Sequence, residues 1–132
     1  MKKKMFITVG VLFCVLLIGF SIFYFAYIVP SNKILNEVRN TEIQNIDLSR
    51  VADGSYVGEF KYSKTVCRVE VIVKNHRIED IKILENGKTD YAKRAEAVVL
   101  KVIEEQMTDV DVVAGATTTS KALLKAVETA LK

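Results

Sequence analysis

Apolar and polar positions change their spacing several times along this chain, and each change predicts a different element. From Met5 to Val29, MFITVGVLFCVLLIGFSIFYFAYIV, 25 residues pass without a charge. As an α-helix, rising about 1.5 Å per residue, such a run reaches roughly 37 Å, enough to cross a hydrocarbon core of about 30 Å with some tilt. A cleavable leader has an apolar core of about 7–15 residues followed by a small-x-small site. FYFAYIVPSNK offers no such site, so an uncleaved anchor is expected, closed by Pro30 and Ser31. Asn32 to Arg50 is polar with scattered aliphatics, and Ile34, Leu35 and Val38 have helical spacing. This predicts a helical extension or stalk.

Beyond Val51 the period shortens. DGSYVGEFKYS opens on an Asp53-Gly54 turn signal and carries Tyr56, Val57, Phe60 and Tyr62, types that suit a pleated surface. TVCRVEVIVK sets Cys67, Val69, Val71 and Val73 against alternating neighbours, and RIEDIKIL follows an Asn75-His76 turn. Three strands in an antiparallel meander are expected, with an apolar face in need of cover. Two helices supply it. The first is predicted over roughly 90–107, with Ala95, Val98, Val99, Val102, Ile103 and Met107 in one stripe; the second runs from about Thr119 to the end, with Leu123, Leu124, Val127, Ala130 and Leu131 on one face. The fold class is α+β: an N-terminal transmembrane helix, then a small antiparallel sheet covered by two helices. The expected division is an anchor at 1–30, a stalk or linker at 31–50 and one domain at 51–132.

Charge sharpens this picture. Lys2, Lys3 and Lys4 precede the span, which predicts a cytoplasmic N-terminus and an extracytoplasmic domain. Setting those three aside, 16 Lys and Arg stand against 16 Asp and Glu. A domain so balanced, with no basic run and no Trp, has no electrostatic footprint for nucleic acid. Cys14 lies in the span and Cys67 in a strand, so they form no disulfide within the domain, and Cys67 is expected as a small buried hydrophobe. Phe13 occupies the position before Cys14 where a lipidation signal has a small residue. One His and one Cys outside the membrane support neither a metal site nor a Cys/His pair. His76 is expected in a turn.

Candidate chemistry gathers in DVVAGATTTSKALLK, Asp111 to Lys125. Its plainest reading is a helix start, since one Thr or Ser at the N-cap satisfies a free backbone N–H and a preceding Gly lets the chain turn. Yet a cap needs a single hydroxyl, whereas Thr117, Thr118, Thr119 and Ser120 follow two small residues, Gly115 and Ala116. A helix N-terminus also favours phosphate through free N–H groups and the dipole. Asp111 and Gln106 stand upstream in EEQMTDVDVV as though placed for something other than packing. Tyr56, Phe60, Tyr62 and Tyr91 are read first as core or edge residues, with packing on a cofactor ring as the alternative, and Lys88, Lys93 and Lys121 as solvated surface.

Gln106 with DVDVVAGATTTSKALLKAVETAL resembles the flavinylation motif of the FMN-binding domain family, Asp-x-x-Ser-Gly-Ala-Thr before a hydroxyl-rich, Ala/Leu-rich helix. DGSYVGEF and VEVIVKNHRIEDIKIL resemble the opening of that domain, so the resemblance covers about 51–132. The family includes the C subunit of the sodium-pumping NADH:quinone oxidoreductase and the G subunit of the Rnf complex. Carried over by position, the resemblance implies that Thr117 accepts FMN through a phosphoester. Asp111 would be the motif acid, Gly115 and Ala116 the clearance beside it, and Thr118, Thr119 and Ser120 the residues that cap the helix and contact the phosphate. Ala114 stands where the family usually has Ser or Thr, and Asn75-His76 replaces the usual Asp-Gly turn.

The resemblance further implies a flavin transferase of the ApbE family, using FAD and a divalent metal, as the maturation partner. Membrane or extracellular redox partners would exchange electrons with the flavin, and residues 5–29 would hold the protein in the membrane. The expected function is a membrane-anchored, extracytoplasmic electron carrier. The competing expectation is a sensing or docking module that binds FMN non-covalently or not at all, its hydroxyl cluster serving only as a cap. Substitution of Thr117 separates the two.

Overall fold

The structure, a computed structural model, describes residues 1–132 and falls into two units, Met1–Ile34 and Leu35–Lys132. In the first, helix α1 spans Lys2–Phe23, and none of its residues is buried. An apolar helix exposed all round belongs in a membrane or a large core. The helical stretch Lys2–Arg39 is long and apolar enough to cross a membrane.

Pro30 does not close that stretch. After α1 come a π turn at Tyr24–Ile28 and helix α2 at Val29–Arg39. A proline inside a helix lacks a donor and presses its ring on the carbonyl four residues back. The wider π turn just before it opens the spacing that this clash would otherwise violate.

In the second unit β1 (Gly54–Tyr62), β2 (Thr65–Lys74) and β3 (Arg77–Glu85) form an antiparallel sheet in the order β1-β2-β3. The alternation in β2 is realised in full: Cys67, Val69, Val71 and Val73 are buried while their neighbours are only partly so. In β3, Ile78 and Ile81 are three apart, which strict alternation would put on opposite faces, yet both are buried. Bulges explain this. The ladder pairs Val73 with Ile78, Ile72 with Asp80 and Val71 with Ile81, so Glu79 is an inserted residue. A second shift leaves Leu84 over between Ile83 and Glu85, and Leu84 is exposed.

The turn between β2 and β3 needs positive φ at both central residues, and Asn75 (53°) and His76 (57°) supply it. His76 is held there: its backbone N–H donates to Asp53 Oδ1 at 3.3 Å and its Nδ1 lies 2.9 Å from the Val51 carbonyl. The expected turn role of His76 is therefore the observed one.

Helices α3 (Asp90–Ala95), α4 (Ala97–Glu105) and α5 (Thr117–Leu131) complete the unit. The single helix expected over 90–107 is interrupted at Glu96. Asn86 causes this: its Nδ2 donates to the Ala92 carbonyl at 2.9 Å, so the Glu96 N–H turns instead to Lys93 at 3.2 Å. Gln106, left-handed at φ 55°, ends α4. Its side-chain amide accepts from the Ile78 N–H at 2.8 Å and donates to the Ile78 carbonyl at 2.9 Å, acting as an extra rung beside β3. Gln106 thus ties α4 to the sheet, correcting its expected association with the hydroxyl cluster.

The core lies between the sheet and the helices, with α5 packed on β1 and β2. At Gly58 the strand and α5 come so close that a Cβ would strike the Ala126 carbonyl, lie 2.5 Å from the Ala130 N and 2.8 Å from its Cβ. Ala122, Ala126 and Ala130, four apart, form the flat stripe that permits the approach. Cys67 is fully buried, and burial pushes its thiol pKa up to about 11. The other face of the sheet is charged, with Arg68 joining Glu59 and Glu85 across all three strands.

The end of α2 and the segment after it are fastened to the same body. Val38 and Ile43 are buried, and the buried Thr108 hydroxyl donates to Gln44 O at 2.6 Å while accepting the Ile46 N–H at 3.0 Å. Glu128 accepts the Gln44 N–H at 3.1 Å.

Candidate functional site

Gly115, Ala116, Thr117, Thr118 and Thr119 form a turn and a helix mouth. Gly115 takes φ +76°, a left-handed value that a side chain disfavours, and the Ala116 N–H then closes on the Val113 carbonyl at 3.0 Å. Helix α5 starts at Thr117 with Ala116 at the N-cap and no side-chain cap. The expectation that Thr118, Thr119 and Ser120 cap the helix is corrected here, because all three lie inside its first turn. The first intrahelical acceptor is Ala116, taken by the Ser120 N–H at 2.9 Å. The N–H groups of Thr117, Thr118 and Thr119 have no protein partner, as the geometry of a helix start dictates.

The hydroxyls divide by position. Ser120 is fully buried, and its Oγ accepts the Val113 N–H at 3.2 Å, holding the loop against the helix. Thr119 is buried with its Oγ1 3.4 Å from Tyr62 Oη. Thr117 and Thr118 are half-buried.

Thr117, Thr118 and Thr119, with Gly115 and Ala116, form one wall of a cleft of about 680 Å³ within the unit Leu35–Lys132. Its other walls come from Tyr62 and Thr65 at the β1–β2 turn, from Gly87, Lys88, Thr89, Tyr91 and Ala92 around the start of α3, and from Leu35 and Arg39. Thr89 shapes the α3 wall, its side chain accepting the Ala92 N–H at 3.2 Å as the N-cap. Two cations, Arg39 and Lys88, line the cleft, and no carboxylate does.

Of the residues expected from sequence, five reach the cleft and two do not. Ser120 is occupied with the loop. Asp111 is exposed and outside the lining; its backbone carbonyl, rather than its carboxylate, is bonded, to Lys101 Nζ at 3.2 Å. Lys88, expected as solvated surface, stands on the lining, as do Tyr62 and Tyr91, expected as core or edge residues with packing on a cofactor ring as the alternative. Thr89 was legible as a cap in GKTDYA; Arg39, Leu35 and Thr65 carried no local signal.

The chemistry of the lining therefore selects an anionic, partly aromatic ligand. A family model described as FMN-binding domain matches residues 63–132. The chain belongs to the FMN-binding domain family. No curated protein matches it. The cleft fits the ligand of that family: its volume lies within the range of about 300–1,000 Å³ usual for cofactor sites. Free N–H groups and two cations suit a phosphate, and Tyr62 and Tyr91 suit a flat conjugated ring. An FMN-binding domain built this way would hold the phosphate at the mouth of α5 and the ring among the residues of the other walls.

Proposed function

We propose that this protein is a membrane-anchored, extracytoplasmic electron carrier whose FMN is attached to Thr117 by a phosphoester. The observation that carries the reading is the position of Thr117: half-buried, first in α5, on the wall of a cleft that has cations and no carboxylate. Thr119 and Ser120 are buried, which leaves Thr117 and Thr118 as the more open hydroxyls, and Thr117 adjoins the small residues Gly115 and Ala116.

In the attachment step the Thr117 oxygen loses its proton and bonds to the phosphorus of the FMN half of FAD, with AMP leaving. A separate flavin transferase with its divalent metal performs that step. The diester keeps one negative charge, which the free N–H groups and the dipole of α5 stabilise. Gly115 and Ala116 keep bulk away from the ester, and the Tyr62 hydroxyl lies 3.4 Å from Thr119 Oγ1. The bound flavin supplies the redox chemistry; the chain supplies attachment, orientation and tuning. Lys2, Lys3 and Lys4 support a cytoplasmic N-terminus by the positive-inside rule, with the flavin domain on the other side. Covalent attachment suits that side, where a dissociating cofactor is lost by dilution.

The reading is tested by co-expressing the full chain with an active flavin transferase and looking for flavin fluorescence on the denatured polypeptide. Fluorescence in the wild type and in Thr118→Ala, absent in Thr117→Ala, is the expected result. Fluorescence retained in Thr117→Ala overturns the assignment, and flavin lost from every form on denaturation leaves a non-covalent binding module.

A further inference from the structure

Arg39 is a cation without a protein partner. No carboxylate lies within ion-pair distance of it, nor of Lys88, the other cation on the cleft. It lines the cleft from a segment that precedes the sheet, outside residues 63–132 that match the family. The backbone around it is fixed: Val38 is buried, the Thr41 N–H closes on Val38 at 3.1 Å, and Gln44 and Ile46 are pinned by Glu128 and Thr108. Arg39 itself is exposed, so a fixed stretch of backbone offers a free guanidinium to the cleft.

We propose that Arg39 is a positioning residue for the flavin ring, setting its orientation and raising its reduction potential; this rests on the reading that the cleft holds FMN on Thr117. The phosphoester charge already has the N–H groups of Thr117, Thr118 and Thr119, which come from a different element. The charge that then needs a partner is the one that appears on reduction, and of the cleft's two cations, Arg39 and Lys88, only Arg39 carries a planar fork of donors. Two electrons and one proton added to an oxidised flavin ring leave it with one negative charge, and a guanidinium donates paired hydrogen bonds to such a planar anion. Charge beside the ring is a recognised lever on flavin electronics. Arg39 also sits in the last turn of α2, where a cation complements the dipole. That role would move thermal stability and leave the potential where it is.

The test is a redox titration of the full chain, flavinylated by co-expression and reduced by a viologen dye as electron donor, for wild type, Arg39→Gln and Arg39→Lys, with intact mass recorded for each. Arg39→Gln is expected to load one flavin and to favour the reduced form about tenfold less. For a two-electron couple this lowers the potential by about 30 mV, and Arg39→Lys should restore most of it. Loading lost in Arg39→Gln but kept in Arg39→Lys also supports a charge acting on the cofactor. Equal potentials in loaded wild type and Arg39→Gln overturn the proposal, as does loss of loading in both variants. A wild type that takes up no flavin beside an active transferase fails earlier, at the attachment to Thr117, and takes both readings down.

Discussion

The carboxylate of Glu128, buried near the end of α5, accepts the backbone N–H of Gln44 at 3.1 Å, joining the last helix to the segment that leads out of α2. Lys125 and Lys132 pair with the same carboxylate, at 3.0 and 2.7 Å. Burial pushes the Glu128 pKa up, but the hydrogen bonds from Lys132, Lys125 and Gln44 outweigh it, and the group is held below its ordinary 4.5. A carboxyl depressed on folding contributes stability that is complete above the unfolded value and is lost as pH falls through the folded one. Glu128→Ala should therefore cost about 2 kcal/mol at neutral pH. The gap to wild type should narrow as the pH drops below about 4.5, where the unfolded chain takes up its proton first. Urea titrations at a series of pH values check this; a gap that stays constant down to low pH contradicts it.

The alternation in β2 and the two φ-positive residues at Asn75-His76 made the hairpin legible in the sequence, because both are local properties of the backbone. The bulges in β3 were not, since a three-residue spacing is read correctly only once Val71 and Val73 are opposite it. The break at Glu96 depends on Asn86, ten residues away, drawing off one carbonyl. The hydroxyl wall of the cleft was legible as a motif at Gly115 to Thr119. Its other walls were not, because Arg39, Tyr62 and Tyr91 meet it only through the tertiary fold.

The contact between Gly58 and α5 is a case that sequence alone conceals. Gly58→Ala puts a methyl group against the Ala126 carbonyl and the Ala130 backbone, neither of which moves without shifting the helix. Overpacking costs typically 1–3 kcal/mol and more where only backbone can yield. Gly58→Ala is expected to lose at least about 3 kcal/mol, read by thermal or urea unfolding. Equal stability of Gly58→Ala and wild type would contradict the packing.

Ser120 separates scaffold from attachment chemistry. Ser120→Ala removes the acceptor of the Val113 N–H and should cost about 1 kcal/mol, the usual net worth of one such bond. Flavin loading, measured by absorbance per chain, should persist. Loss of loading with unchanged stability would instead make Ser120 a cofactor ligand.

The central claim is the bond between Thr117 and FMN, and mass spectrometry reads it directly. The full chain co-expressed with an active flavin transferase should gain the mass of one FMN less one water. After tryptic digestion that gain should sit on the peptide from Val102 to Lys121, and fragmentation should localise it to Thr117. An unmodified chain, or a gain localised to another residue, would contradict the account.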